Sequence, residues 1–141
     1  MAARSTRLLP SPFLTPYGMS KHAVVGLSLS LRGEAADRGV KVSVVCPGVI
    51  ETPILDKDIP PGLPPLRHTF SAREYLERLG KPYPVSALAD DILHGVGRNR
   101  AVIVAPRAAH AQWLIQRALP RLIERAGLKN AAWARAAMGI P

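Results

Sequence analysis

Two short runs of mostly β-branched residues constrain the fold of this 141-residue chain more than any other feature. The runs read VKVSVVCP, ended by Pro47, and AVIVAP, ended by Pro106. A strand with one solvent-exposed face alternates apolar and polar residues. The strands of a parallel sheet are covered on both faces, so their sequences are nearly continuous apolar runs. The sequence therefore predicts two buried parallel strands, at 42–46 and 101–105, in an α/β fold.

A long helix is predicted before the first strand, over residues 15–38. Thr15 suits its N-cap, Pro16 its first turn, and Gly39 the position just past its end. Its middle, AVVGLSLSL, is apolar on almost every side. Such a helix needs cover from a sheet on one side and from another helix or subunit on the other.

The rest of the chain divides into a proline-rich loop, two short helices and a basic tail. Four prolines exclude regular structure from most of 54–70. Helical periodicity predicts helices at 71–79, at 85–96 and from 107 to the end, with a kink at Pro120. The segment 107–141 contributes +5 of the net charge of +9, and we interpret it as a basic amphipathic helical tail.

The composition excludes several classes of protein. Apolar residues make up 48% of the chain and charged residues 21%, which is typical of a globular protein. The single cysteine, Cys46, excludes an internal disulfide and favours the cytoplasm. We predict no export signal, membrane span or metal site, since no apolar run is long enough and the histidines lack metal-ligand spacing. Aromatic residues are only 5%, which argues against nucleic-acid binding.

The motif YGMSK places Tyr17 and Lys21 four residues apart at the start of the first predicted helix. Residues i and i+4 share a helix face, so the phenol and the ammonium can approach one ligand. A tyrosine has a pKa near 10, and a cation held close lowers that pKa by roughly 1–3 units. Such a tyrosine can protonate a carbonyl oxygen while hydride arrives at carbon, or take the proton of an alcohol. Taken alone, a tyrosine and a lysine at this spacing also occur by chance.

A proline-glycine turn, PGVIETP at 47–53, directly follows the first predicted strand. In open α/β sheets ligands bind just beyond the carboxyl ends of the strands. Gly48 lets the backbone approach a flat ring, and the Thr52 hydroxyl can bond to a carboxamide. The alternative is an ordinary tight turn after a strand.

Helix motif, strand and turn together resemble the C-terminal half of the short-chain dehydrogenase/reductase family, over about residues 8–106. The matching stretch is PSPFLTPYGMSKHAVVGLSLSLRGEAADRGVKVSVVCPGVIETPI. The resemblance implies a C-terminal portion of a Rossmann-like doubly wound parallel sheet within a domain 1–106, and an NAD(P)-dependent oxidoreductase that acts on an alcohol or ketone. It also implies a substrate loop at 54–80.

The same resemblance implies roles for the site residues. Tyr17 would be the catalytic acid/base, and Lys21 would bind the nicotinamide ribose and lower the Tyr17 pKa. The residues implied to line the nicotinamide of NAD or NADP are Pro47, Gly48, Val49, Ile50 and Thr52.

Three elements of the family pattern have no clear counterpart in this sequence. They are the glycine-rich turn that binds the dinucleotide phosphates, an Asn-bearing strand that follows it, and the catalytic serine, for which Ser5 stands one place off. We therefore expect a truncated dehydrogenase, or one with a misassigned start, that binds cofactor weakly or not at all when alone. Neither the substrate nor the choice between NAD and NADP can be predicted.

A second hypothesis belongs to a different class, a non-catalytic association module. The predicted helix 15–38 would pair subunits into a homo-oligomer, and the basic tail 107–141 would rest on an anionic membrane surface. The chain would then be cytoplasmic and membrane-associated.

Overall fold

The computed structural model describes residues 12–56 and 71–139. Two 3₁₀ turns, Ala36–Arg38 and Pro53–Leu55, accompany the regular elements. Those elements are α1 (Thr15–Glu34), β1 (Val44–Pro47), α2 (Ala72–Leu79), α3 (Val85–Gly97), β2 (Val102–Ala105), α4 (Arg107–Ala118) and α5 (Pro120–Met138).

The two predicted strands pair in parallel and form the centre of the fold. Val44 pairs with Val102 at one end of the register and Pro47 with Ala105 at the other. A parallel pair of strands needs a crossover connection, and here the chain between them contains α2 and α3. This is a partial Rossmann-like α/β fold, as the sequence predicts.

The core lies where α1 covers β1. Val44 and Cys46 of the strand are fully buried, and Val24 and Val25 of the helix pack against them. Burial raises the pKa of the Cys46 thiol to about 11. Ser28 is also buried, but its hydroxyl donates a hydrogen bond to the Val24 carbonyl (2.7 Å), so the polar group is satisfied.

Arg32, near the end of α1, fixes the direction of this helix against the sheet. Its guanidinium donates to the Val42 carbonyl (2.6 Å) and to both the carbonyl and the side-chain oxygen of Asn99 (2.9 Å each). Both partners precede a strand, so the C-terminal end of α1 lies at the amino edge of the sheet. Since α1 also packs along β1, its first turns lie towards the carboxyl edge.

The predicted limits of the first helix need two corrections. Thr15 is not the N-cap, because the first helical hydrogen bond runs from the Gly18 N–H to the Leu14 carbonyl (2.8 Å) and makes Leu14 the cap. The α-helix also ends at Glu34, and the 3₁₀ turn continues to Gly39. Gly39 has φ of +70°, the left-handed conformation that a terminating glycine is expected to adopt.

The basic tail forms two helices separated at Leu119, where the sequence predicts a kink. Pro120 has no N–H to donate to α4, and it starts α5 instead. α4 contacts β2, and α5 packs on α4. Trp133 of α5 contacts two side chains of α2, with its ring centroid 6.4 Å from that of Tyr75 and 4.2 Å from the Arg78 guanidinium. The division into 1–106 and a separate tail stays a prediction.

Candidate active site

Tyr17 and Lys21 lie on the stripe of α1 that faces the sheet. The spacing of Tyr17, Lys21, Val24 and Ser28 puts all four on one side of the helix; Val24 packs against the buried residues of β1, and Ser28 is buried. Tyr17 and Lys21 are partly buried, and they occupy the first two turns of α1, beyond the part that covers the strand. The stripe therefore carries this pair towards the carboxyl edge of the sheet.

The two side chains are in contact with each other. The Lys21 Nζ lies 5.2 Å from the centroid of the Tyr17 ring. A cation at this distance is attracted by the ring face, and a phenolate would attract it more strongly than a phenol does. The Lys21 ammonium therefore lies against the face of the Tyr17 ring.

The turn after β1 is buried and held by the neighbouring strand. Pro47, Gly48, Val49 and Ile50 are all buried. The Gly48 N–H donates to the carbonyl of Ala105, the last residue of β2 (2.7 Å). The turn thus continues the parallel pairing one step past the strand and has little freedom to move.

Tyr83 holds the same turn from the opposite side. Its backbone N–H donates to the Val49 carbonyl and its carbonyl accepts from the Glu51 N–H, each at 2.9 Å, in a parallel bridge with Ile50. Its phenol donates to Asp91 (3.1 Å), and this hydrogen bond to a carboxylate raises the pKa of Tyr83. The backbone of 47–51 is therefore fixed by hydrogen bonds on two sides.

Thr52 makes a weak hydrogen bond through its side chain. Its hydroxyl lies 3.4 Å from the Ile50 carbonyl oxygen, which is long for an O–H···O hydrogen bond. A better partner can replace so weak a bond at little cost. Thr52 is partly buried and directly follows the hydrogen-bonded backbone of 47–51. Its hydroxyl is suited to bind a carboxamide.

An ionic cluster around Arg73 of α2 completes the region, and sequence reasoning missed it. The guanidinium makes bidentate hydrogen bonds to Asp56 (2.6 Å for both) and to Glu51 (2.7 and 3.1 Å), and a longer one to Glu77 (3.4 Å). The hydrogen bonds to Arg73 lower the pKa of Glu51 and of Asp56, and they raise the pKa of Arg73. Arg73 therefore ties α2 to both ends of the segment 51–56.

Some predicted features cannot be placed. Ser5 and residues 57–70 of the predicted substrate loop lie outside the described residues. Within 12–56 and 71–139, no group of three or more His, Cys, Asp or Glu side chains is arranged to hold a metal ion. Over the same ranges no helix combines the length and hydropathy needed to cross a membrane.

Comparison with known proteins identifies the family. The family model described as short chain dehydrogenase matches residues 5–60, a stretch that contains Tyr17, Lys21 and the whole turn after β1. D-beta-hydroxybutyrate dehydrogenase of Rhizobium meliloti is 42% identical over 53 residues, which are 38% of this chain and 20% of the relative. Oxidoreductase UcpA of Salmonella typhimurium is 30% identical over 110 residues, 78% of this chain and 39% of the relative.

A third relative, 2-keto-3-deoxy-L-fuconate dehydrogenase of Xanthomonas campestris, is 32% identical over 89 residues, 61% of this chain and 29% of the relative. No solved structure matches the chain. The chain belongs to the short-chain dehydrogenase family, and it spans 39% or less of the length of these three relatives.

Proposed function

We propose that this chain carries the catalytic part of an NAD(P)-dependent oxidoreductase site that transfers hydride between nicotinamide and an alcohol or ketone. One observation carries the proposal. Tyr17 and Lys21 contact each other on the side of α1 that faces the sheet, and they lie towards the carboxyl edge, where the hydrogen-bonded turn 47–51 follows β1. Ligands of open α/β sheets bind at this edge. The matched segment 5–60 contains both parts.

The roles follow from the chemistry of the side chains. The Tyr17 hydroxyl gives its proton to a ketone oxygen, or accepts the proton of an alcohol, while the bound nicotinamide supplies or takes the hydride. The Lys21 ammonium stabilises the phenolate and donates hydrogen bonds to the ribose hydroxyls. The Thr52 hydroxyl binds the carboxamide, and the buried apolar turn excludes water from that side of the ring.

The residues present fit the nicotinamide end of a dinucleotide. Thr52 has a weak bond that it can exchange, Lys21 has donors for a diol, and the turn is rigid before any ligand arrives. These contacts concern the nicotinamide and its ribose only. We therefore propose that the chain binds NAD or NADP weakly and mainly through this end.

Saturation-transfer NMR on the full chain with NADH or NADPH tests the proposal. We expect stronger transfer to the nicotinamide protons than to the adenine protons, and its loss in Lys21→Met. Lys41→Met is the matched control, since Lys41 is exposed and lies in the loop before β1. Saturation transfer mainly to the adenine protons would contradict the proposed site. Equal transfer to the nicotinamide protons in Lys21→Met and Lys41→Met would contradict it as well.

The proton-transfer role needs a separate measurement. In turnover of short-chain alcohols with NAD⁺ and NADP⁺, loss of a general acid/base costs about 10²–10⁴-fold in rate. We expect Tyr17→Phe to reduce any turnover by that factor while leaving the NMR contacts of the nicotinamide in place. A Tyr17→Phe chain as active as the unmodified chain would exclude Tyr17 as the acid/base.

A second candidate function is subunit pairing through α1. Leu27 and Leu29 lie off the sheet-facing stripe and remain 51% and 43% exposed, as expected for a helix that is apolar on almost every side. Light scattering after size exclusion should show a dimer that Leu27→Lys with Leu29→Lys dissociates. A monomeric unmodified chain excludes this pairing. Sedimentation with acidic liposomes, with and without 107–141, tests the proposed membrane contact of the tail.

A further inference from the structure

The excess positive charge of the described residues is concentrated on α4 and α5. Residues 12–56 and 71–106 contain nine basic and eight acidic side chains, so their net charge is +1. Residues 107–139 contain six basic side chains and one acidic side chain, so their net charge is +5. Because the field near a protein surface follows the local charge, these two helices are the part of the fold that attracts an anionic partner most strongly.

Three of these cations form a row along α5. Arg121, Arg125 and Lys129 are spaced by four residues, so they share one face of the helix, and all three are exposed. Among the described residues every ion pair involves Arg73, so no carboxylate neutralises the row. We call the exposed surface formed by Arg121, Leu122, Arg125 and Lys129 the outer face of α5.

The apolar side of α5 is already used within the protein. Ala134 is fully buried, and the Trp133 ring contacts Tyr75 and Arg78 of α2. The buried and half-buried positions of α5 recur every three or four residues on the side opposite the row of cations; they include 123, 127, 130, 134 and 137. The helix cannot place this side on another surface without leaving the fold. Only its outer face is therefore available to a partner.

Leucines beside the cations favour a lipid bilayer over a nucleic acid. Leu122 is 54% exposed on one flank of the row, and Leu128, on the flank towards α1, is 62% exposed. Proteins bind single-stranded nucleic acids largely by stacking bases on aromatic side chains, and the outer face has none. At the surface of an anionic bilayer, cations are attracted to the headgroups while apolar side chains enter the boundary of the acyl chains.

We propose that the outer face of α5 docks electrostatically on an anionic bilayer while α5 stays packed in the fold. The inference rests on the membrane contact proposed above for 107–141 and names the surface that makes it. It differs from the usual binding of an amphipathic helix, in which the apolar side enters the lipid. Electrostatic attraction is screened by salt, whereas burial of an apolar side in lipid is not, so salt separates the two modes.

Sedimentation of the full chain with vesicles tests the proposal. The probes are vesicles of phosphatidylcholine alone and of phosphatidylcholine mixed with phosphatidylserine. We expect binding only to the mixed vesicles, and its loss in about 0.5 M NaCl, where the field of the bilayer is screened. Equal binding to neutral vesicles, or binding retained in high salt, would overturn electrostatic docking. Tighter binding to DNA than to mixed vesicles at equal phosphate concentration would overturn the choice of a bilayer.

Two triple variants of equal net charge locate the contact. Each basic residue near an anionic bilayer contributes about fivefold in affinity, so replacing all three cations of the row by glutamine should weaken binding about a hundredfold. This variant is Arg121→Gln with Arg125→Gln and Lys129→Gln. The matched control removes three exposed cations near the amino ends of the two strands and should weaken binding much less; it is Arg38→Gln with Lys41→Gln and Arg98→Gln. Glutamine forms helices about as well as arginine and lysine, so α5 should stay folded, and circular dichroism checks this.

The outcomes separate this inference from the proposals on which it rests. Equal weakening in the two triple variants would assign the binding to net charge alone, and the outer face would be wrong while the membrane contact of 107–141 stands. An unmodified chain that does not sediment with the mixed vesicles would overturn both. Neither result touches the proposed nicotinamide site, which the NMR experiment tests separately.

Discussion

Gly95 of α3 provides a direct test of how closely this helix packs on the sheet. A Cβ built on Gly95 would lie 2.7 Å from both Cγ1 and Cδ1 of Ile103, and 3.1 Å from its Cγ2. Ile103 is buried in β2, and a β-branched side chain has little freedom to rotate away. Overpacking of this kind costs about 1–3 kcal/mol, which opposes the gain of about 1 kcal/mol when alanine replaces glycine inside a helix.

A matched glycine separates the two effects. Gly26 lies in the interior of α1, and a Cβ there meets nothing within 4 Å. Gly26→Ala and Gly95→Ala gain about the same helix propensity, so the difference between their free energies of unfolding isolates the clash with Ile103, about 1–3 kcal/mol. Urea unfolding followed by circular dichroism measures both values. If Gly95→Ala were as stable as Gly26→Ala, the close contact of α3 with β2 would be refuted.

Three further predictions concern other parts of the fold. Because burial raises the pKa of Cys46 to about 11, the folded state keeps its proton when the unfolded state has lost it, and stability should fall as pH rises from about 9 to 11. The full loss is about 3 kcal/mol, and urea unfolding across this pH range should show a flatter dependence in Cys46→Ala. Arg73→Gln should lower the urea midpoint at pH 7, and the difference should shrink as pH falls through the lowered pKa values of Glu51 and Asp56, because the contribution of the two carboxylates disappears as they become protonated. An unchanged midpoint at pH 7 would contradict this. Trp133→Ala should cost about 1–3 kcal/mol and expose α2 to limited proteolysis, since it removes both ring contacts; equal cleavage in the two chains would count against the packing.

Local patterns predicted most of the secondary structure. The strand predicted at 42–46 is observed at Val44–Pro47, and the one at 101–105 at Val102–Ala105. Such runs signal burial on both faces, which is a local property of the sequence. The break at Leu119 is sharper than the predicted kink, because the pattern shows where a proline stands but not which way the chain continues after it.

Contacts between distant residues could not be predicted in this way. The spacing of Tyr17 and Lys21 is local, and the structure brings these two side chains together. Arg73 binds carboxylates 17 and 22 residues away, and Arg32 binds a residue 67 positions away, so neither partner shows in any periodicity.

The bridge between Ile50 and Tyr83 fixes both ends of the intervening stretch at a single point beside the sheet. Lengthening a stretch whose ends already meet adds only a slowly growing entropic penalty, about 0.6 kcal/mol for each doubling. A change of length within this stretch therefore adds little entropic cost, provided that buried Leu55, the Arg73 cluster and the contacts of α2 with Trp133 are kept. In evolutionary terms, this geometry lets insertions and deletions accumulate between the two anchors while the paired strands are inherited intact.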